Sequence, residues 1–243
     1  MHKGVKSSRR GLDAILIFGT MAKTALIIGA TGLVGEQCLN ELLNSVAYEK
    51  VIALTRKPIK SPKAKLQCLV TDFENLDSLK DQIKADDIFC AIGTTIAKAG
   101  SKEAFRKVDF EIPLKVAEIA KQNGATRFIL VSSLGADAKS SVFYSKVKGE
   151  LEEAVKKLRY DWLVIFRPSI LLGDRKEKRT GEQIGRFVAE KFSFLFAGPL
   201  RKYAGTPVYL LSKKMVRVAQ EKEPSSLEKI PLTRIIDNEE ILR

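Results

Sequence analysis

Histidine is almost missing from this chain of 243 residues, and the single one is His2. Imidazole-based acid–base catalysis is therefore effectively excluded, as is a zinc site built from His and Cys. Cysteine is scarce too. Cys38, Cys68 and Cys90 are an odd set with no metal-ligand spacing, each in an apolar context. They read as buried free thiols of a reducing compartment, so a cytoplasmic location and no metal are expected. No apolar run approaches the ~20 residues that span a bilayer, which predicts a soluble protein. The net charge of +13 raises the question of nucleic acid. Its basic residues are spread over many segments without interleaved aromatics, so nucleic acid is disfavoured, and the charge suits an anionic small molecule.

The chain is long enough for one sizeable core, and one domain is the default. Residues 1–20 stand apart. Lys3, Lys6, Arg9 and Arg10 precede an apolar run of only about five residues, Ala14 to Phe18, against the ~7–15 of a signal peptide. They read as an upstream start or a disordered extension, with targeting as the lesser reading. The domain proper is placed at 21–243.

Thr24 to Ile28 is a continuous apolar run, the pattern of a strand buried on both faces of a parallel sheet. Leu33, Val34, Cys38, Leu39, Leu42 and Leu43 then recur at helical spacing. Further strands are expected at Val51–Thr55, Lys65–Val70, Asp87–Ile92, Arg127–Ser133 and Trp162–Phe166. Between them an amphipathic helix is expected at Asn75–Lys84, a long one at Ser101–Asn123 kinked at Pro113, and one at Tyr144–Leu158. Repeated β–α alternation predicts an α/β Rossmann-type doubly wound parallel sheet. From about Gly173 the regularity weakens, and 173–243 is expected to be a small irregular region on the substrate side.

The first strand runs straight into Gly29-Ala-Thr31-Gly32-Leu33-Val34-Gly35 at the opening of a helix. Glycines there permit a tight turn and close backbone approach, and the helix N-terminus offers free N–H groups to a pyrophosphate. An NAD site usually places a carboxylate at the end of the second strand to hold the ribose 2′-OH. Here that place holds Arg56 and Lys57, within a stretch from Lys50 to Lys65 of six basic residues and no acidic one. A guanidinium can clamp a 2′-phosphate that a carboxylate would repel, so the expected cofactor is NADP(H).

Tyr144 and Lys148 stand at i and i+4 on one helix face, within the stripe of Val147, Leu151, Val155 and Leu158. Lys156 and Lys157 point away, and Glu152→Lys156 and Glu153→Lys157 read as exposed pairs. A buried lysine is costly unless something solvates its charge, and a bound ribose and a tyrosine hydroxyl would do so. An adjacent cation also favours the phenolate that proton transfer by a tyrosine requires. Ser133, at the end of the fifth strand, is positioned to hydrogen-bond a substrate oxygen. The expected catalytic set is Ser133, Tyr144 and Lys148, with the last two also touching the cofactor.

Taken together, the turn G-A-T-G-x-x-G, the Y-x-x-x-K pair and the segments Phe89–Thr95, Lys98–Gly100, Val131–Asp137, Lys146–Glu150 and Phe166–Leu172 resemble the short-chain dehydrogenase/reductase superfamily in its extended or atypical branch. The resemblance covers roughly Lys23 to Met215. It implies that Asp72 and Phe73 lie near the adenine and that Ala91, Ile92, Gly93 and Thr94 line the cofactor. It also implies that Arg167, Pro168, Ser169 and Ile170 sit beside the nicotinamide. The function implied is hydride transfer between NADPH and a small-molecule carbonyl or alcohol. Because the family is known largely through protein interactions, an NADP(H)-responsive partner-binding protein with little turnover is the alternative.

Overall fold

The structure is a computed structural model, and it describes residues 23–173, 203–221 and 231–243. The expectations for residues 1–20, and for most of the substrate-side segment 175–204, lie outside the described residues.

Strand β1 (Lys23–Ile28) starts the sheet, with β2 (Tyr48–Thr55), β3 (Leu66–Val70), β4 (Asp87–Cys90), β5 (Arg127–Val131) and β6 (Trp162–Arg167) following. A two-stranded parallel pair, β7 (Leu171–Leu172) with β8 (Thr206–Pro207), lies apart from the main sheet. The last strand, β9 (Leu232–Asp237), pairs with β6. The main sheet has the order β3-β2-β1-β4-β5-β6-β9, and all its pairings are parallel. Strand order reverses between β1 and β4, which opens a crevice at their carboxyl ends, the place where doubly wound sheets hold ligands.

Residues alternate between the two faces of β1. Ala25 and Ile27 face one buried layer, filled by α1 (Leu33–Asn44) and α6 (Val208–Ala219). Leu26 and Ile28 face the other, filled by α4 (Ile112–Gln122) and α5 (Phe143–Lys157). Double-sided burial is why these strands read as continuous apolar runs.

Three expectations are corrected. The helix at 75–84 is only a 3-10 turn, Leu76–Leu79, in which the Asn75 side chain accepts from the Ser78 N–H. Leu76 and Ile83 anchor this segment, but Asp77, Lys80, Asp81 and Lys84 leave it no apolar face long enough to carry a helix. The helix over 101–123 is broken into α3 (Lys102–Arg106), a π-helical turn at Lys107–Glu111, and α4, and a short α2 (Ile96–Ala99) precedes it. Pro113 has no N–H for the Asp109 carbonyl four residues back, and its ring crowds that carbonyl, so the turn widens rather than merely bending. Finally, the tail is not irregular throughout: α6 packs on α1, β9 extends the sheet, and α7 (Asn238–Ile241) follows.

Candidate active site

Gly29 follows β1 with φ +84°, and a Cβ there would lie 2.5 Å from the Ala91 carbonyl carbon and the Ile92 nitrogen. Only glycine allows both that backbone and the approach of the end of β4. Gly32 donates its N–H to the Gly29 carbonyl (2.9 Å) and caps α1. Two members of the turn are placed differently from expectation. A Cβ on Gly35 would sit 2.0 Å from the Gly29 carbonyl oxygen, so Gly35 lets helix and turn pack together, and Val34 is buried in the core. Neither lines the cleft.

That cleft, of about 760 Å³, lies over the carboxyl ends of β1, β2, β3 and β4. Gly29, Thr31, Gly32, Leu33, Arg56, Asp72, Phe73, Ala91, Ile92, Gly93 and Thr94 all line it. Its volume suits a large ligand. The glycine turn, the N-terminus of α1 and this space together fit a dinucleotide. Sequence reasoning missed Glu36, Glu74, Lys98 and Lys107, which also line it. Lys107 and Glu74 pair at 2.7 Å, joining two of its walls. Arg56 additionally borders a shallower hollow of about 470 Å³ with Thr71, Asp72, Asn75 and Ser78. Lys57 lines neither space, and its carbonyl accepts from Thr55 Oγ1 (3.1 Å). Phe73 is held at φ +68°, strained for a bulky side chain, while its ring is buried against the cleft.

Lys148 points inward from α5 and is 5% exposed. Its charge is solvated by a group the sequence reading overlooked. Asp109, fully buried on the π-helical turn, pairs with Lys148 Nζ at 2.6 Å and accepts from the Thr94 N–H at 2.8 Å. A Cβ on Gly93 would lie 3.2 Å from Asp109 Oδ1 and 3.6 Å from Lys148 Nζ, so the end of β4 is flush with the pair. Burial disfavours the ammonium, but the Asp109 carboxylate and neighbouring Tyr144 more than offset it and hold Lys148 above its ordinary 10.5. Pro113 is the physical reason for the placement, since the widened turn before it carries Asp109. A signal was available: Asp109 falls between Phe105 and Ile112 in the inward stripe of an apolar helix.

Tyr144, half-buried in the first turn of α5, packs on the Phe105 ring at 5.6 Å between centroids. Ser133 is half-buried past the end of β5, its hydroxyl donating to the Leu134 carbonyl at 3.3 Å. Neither of these, nor Lys148, lines the described part of the cleft. The Gly93–Thr94 segment just past β4 is the physical link between cleft and lysine.

Glu152 was expected in an exposed pair with Lys156; it is 1% exposed instead. Its carboxylate accepts from Arg167 Nε (3.0 Å), Arg167 Nη2 (2.6 Å) and Ser132 Oγ (2.5 Å), and Lys156 pairs with Glu153 (2.7 Å). Arg167 is thereby committed to α5 and does not line the cleft. Pro168 is buried, with its carbonyl accepting from the Leu134 N–H (2.8 Å). The Ser169 N–H donates to Thr206 Oγ1 (3.0 Å) and Asn238 Oδ1 (3.3 Å), so Ser169 too is engaged internally. Ile170, 69% exposed, is the one residue of the four whose side chain is open. Among the described residues no group of three or more His, Cys, Asp and Glu side chains is arranged to hold a metal, and no helix is long and apolar enough to cross a membrane.

A doubly wound parallel sheet with a glycine turn opening α1 and a cleft at the strand-order switch defines a Rossmann protein of the dinucleotide-binding class. Comparison with known proteins agrees. The chain belongs to the NAD(P)H-binding family whose model matches residues 29–193. It is 40% identical over 173 residues to Protein HTATIP2 of Rattus norvegicus, covering 70% of this chain and 71% of that protein. It is 43% identical over 163 residues to Protein FMP52, mitochondrial, of Candida albicans, covering 63% and 69%. Among solved structures, MoeE5 in complex with UDP-glucose and NAD superposes with a TM-score of 0.65 at 17% identity, covering 88% of this chain and 75% of that one. The cytoplasmic expectation is corrected by these names. Several fungal relatives are called mitochondrial, which points away from a purely cytoplasmic location.

Proposed function

We propose that the protein is an NADP(H)-dependent oxidoreductase that interconverts a carbonyl and an alcohol using Ser133, Tyr144 and Lys148. The observation that carries this reading is Lys148: a buried ammonium, one turn beyond Tyr144, held by Asp109 against the end of β4. A protein that only binds a dinucleotide has no need of an inward Tyr–Lys pair. The dinucleotide would rest on Gly29 to Leu33, with its adenosine end between Arg56, Asp72 and Phe73. Arg56 at the end of β2 favours a 2′-phosphate, since a guanidinium binds phosphate in bidentate fashion. The same cleft carries Glu36, Asp72 and Glu74 as well as Lys98 and Lys107 among its walls, and the preference is assigned to Arg56 for its place at the end of β2.

When bound, the dihydronicotinamide supplies the hydride, and the protein supplies orientation and the proton. Tyr144 donates its hydroxyl proton to the substrate oxygen as charge develops there. Ser133 gives that oxygen a second hydrogen bond, and Lys148 stabilises the phenolate left behind.

Titration calorimetry with NADPH and NADH, followed by a screen of aldehydes and ketones for NADPH oxidation, tests the reading. NADPH is expected to bind tighter than NADH, and Arg56→Glu to weaken NADPH binding by about tenfold or more, the loss of one charge-assisted contact. No saturable binding of either nucleotide would overturn the assignment. Saturable NADPH binding without turnover on any carbonyl would favour the partner-binding alternative.

A further inference from the structure

Helix α5 turns two ionised side chains inward, one turn apart. Lys148 and Glu152 share the buried stripe of Val147, Leu151 and Val155. Lys148 belongs to the proposed chemistry, but nothing so far accounts for Glu152. A carboxylate this deep is costly unless a cation and hydrogen bonds satisfy it. Its partners come from two strand ends. Arg167, closing β6, uses Nε on one oxygen and Nη2 on the other, a planar fork that lysine cannot reproduce. Ser132, just past β5, donates to the oxygen that Nε also reaches. The two strand ends are joined to each other as well: the Ser132 N–H donates to the Phe166 carbonyl and the Leu134 N–H to the Pro168 carbonyl, each at 2.8 Å.

We infer that Glu152 is a positioning residue, a clamp that holds the Ser133 strand end and the Pro168–Ile170 segment in register with the helix carrying Tyr144 and Lys148. Ser133 and Tyr144 are contributed by different elements, and a hydroxyl pair serving one oxygen tolerates little relative movement. Backbone pairing aligns β5 with β6, but Glu152 ties both of those ends to α5 through side chains. The kinetic consequence of this inference rests on the proposed reaction; its structural consequence does not.

Glu152→Gln keeps the side-chain shape and removes the charge, and Glu152→Asp keeps the charge with a shorter reach. For Glu152→Gln, kcat is expected to fall about tenfold to a hundredfold, the cost of misplacing reacting groups. KM and Kd for NADPH should stay within about twofold, because Glu152 lies away from the cleft walls. Glu152→Asp should recover part of the loss in kcat. Hydrogen exchange should quicken at the amides of 132–134 and of Ser169 and Ile170, and not at 29–35. Wild-type kcat in Glu152→Gln, or exchange unchanged at those amides, would overturn the clamp. If the wild-type protein reduces no carbonyl at all, the proposed reaction fails on its own, and the exchange pattern alone decides for or against the clamp.

Discussion

Lys148 and Asp109 form a pair in which each is the other's solvent. Removing one leaves an uncompensated charge inside the molecule, which costs about 3–5 kcal/mol in comparable cases. Lys148→Met should therefore abolish turnover and lower unfolding free energy in urea by that order, while Lys148→Met with Asp109→Leu should regain much of the stability and none of the activity. The sign of the pH dependence follows from the raised lysine. Its stabilising contribution is complete below the ordinary value of 10.5 and is lost as pH rises through the higher folded value. The stability gap between wild type and Lys148→Met should thus be constant at neutral pH and shrink above 10.5. A gap that widens in alkali would contradict the pairing. A third buried carboxylate, Asp87, lies at the opposite, amino ends of the strands, where it accepts from the Tyr48 hydroxyl (2.7 Å) and pairs with Lys23 (3.4 Å). Burial raises the Asp87 pKa, with Lys23, Tyr48 and Arg127 opposing the shift. Tyr48→Phe removes one of its donors without altering the ring packing on Phe89, and should cost about 1–3 kcal/mol in thermal unfolding with NADPH affinity unchanged.

At the scale of elements, the π-helical turn before Pro113 is the feature on which Asp109 depends. Pro113→Ala restores an N–H for the Asp109 carbonyl and removes the ring that crowds it. The variant is expected to be several-fold slower and less stable than wild type, because a regular helix would rotate Asp109 away from Lys148 and leave both buried charges without a partner. Melting temperature and kcat measured together check this, and unchanged kcat would mean the turn is incidental. Such turns show why the sequence is only partly legible. Strands β1, β2, β4, β5 and β6 announce themselves because burial on both faces requires unbroken apolar runs. The glycine turn does so because the close approach of Ala91 and Ile92 to Gly29 excludes any Cβ. Pro113 signals a disturbance, but not that the turn would widen and carry Asp109 inward. Glu152 was hidden by a plausible exposed partner at Lys156, since helical spacing cannot tell which of two faces a carboxylate will take. Strand β9 was hidden for a different reason: at the sheet edge only Ile236 is buried, so Leu232 to Asp237 lacks the apolar run of a central strand.

Seen as a whole, the proposed reaction would set recognition and chemistry on adjoining parts of the sheet's carboxyl edge. The cleft over β1 to β4 gathers the residues proposed to face the nucleotide, while Ser133, Tyr144 and Lys148 stand beyond its described walls, just past β5 and on α5. The Gly93–Thr94 strand end, bonded to Asp109, joins the two. The C-terminal part of the chain is built into this arrangement. Asn238 at the start of α7 accepts from Ser169 and donates to the Ala204 carbonyl (2.7 Å), bracing the segment that follows β6. The most direct test of the proposed reaction is the rate of NADPH oxidation at saturating cofactor over a panel of aldehydes and ketones. It should be measured on wild type and Tyr144→Phe with NADPH binding verified by calorimetry in both. Turnover by wild type on at least one carbonyl is predicted, with a loss of about a hundredfold or more in kcat for Tyr144→Phe and little change in NADPH affinity. Equal kcat in the two proteins would contradict the role given to Tyr144, and with it the catalytic reading of the site.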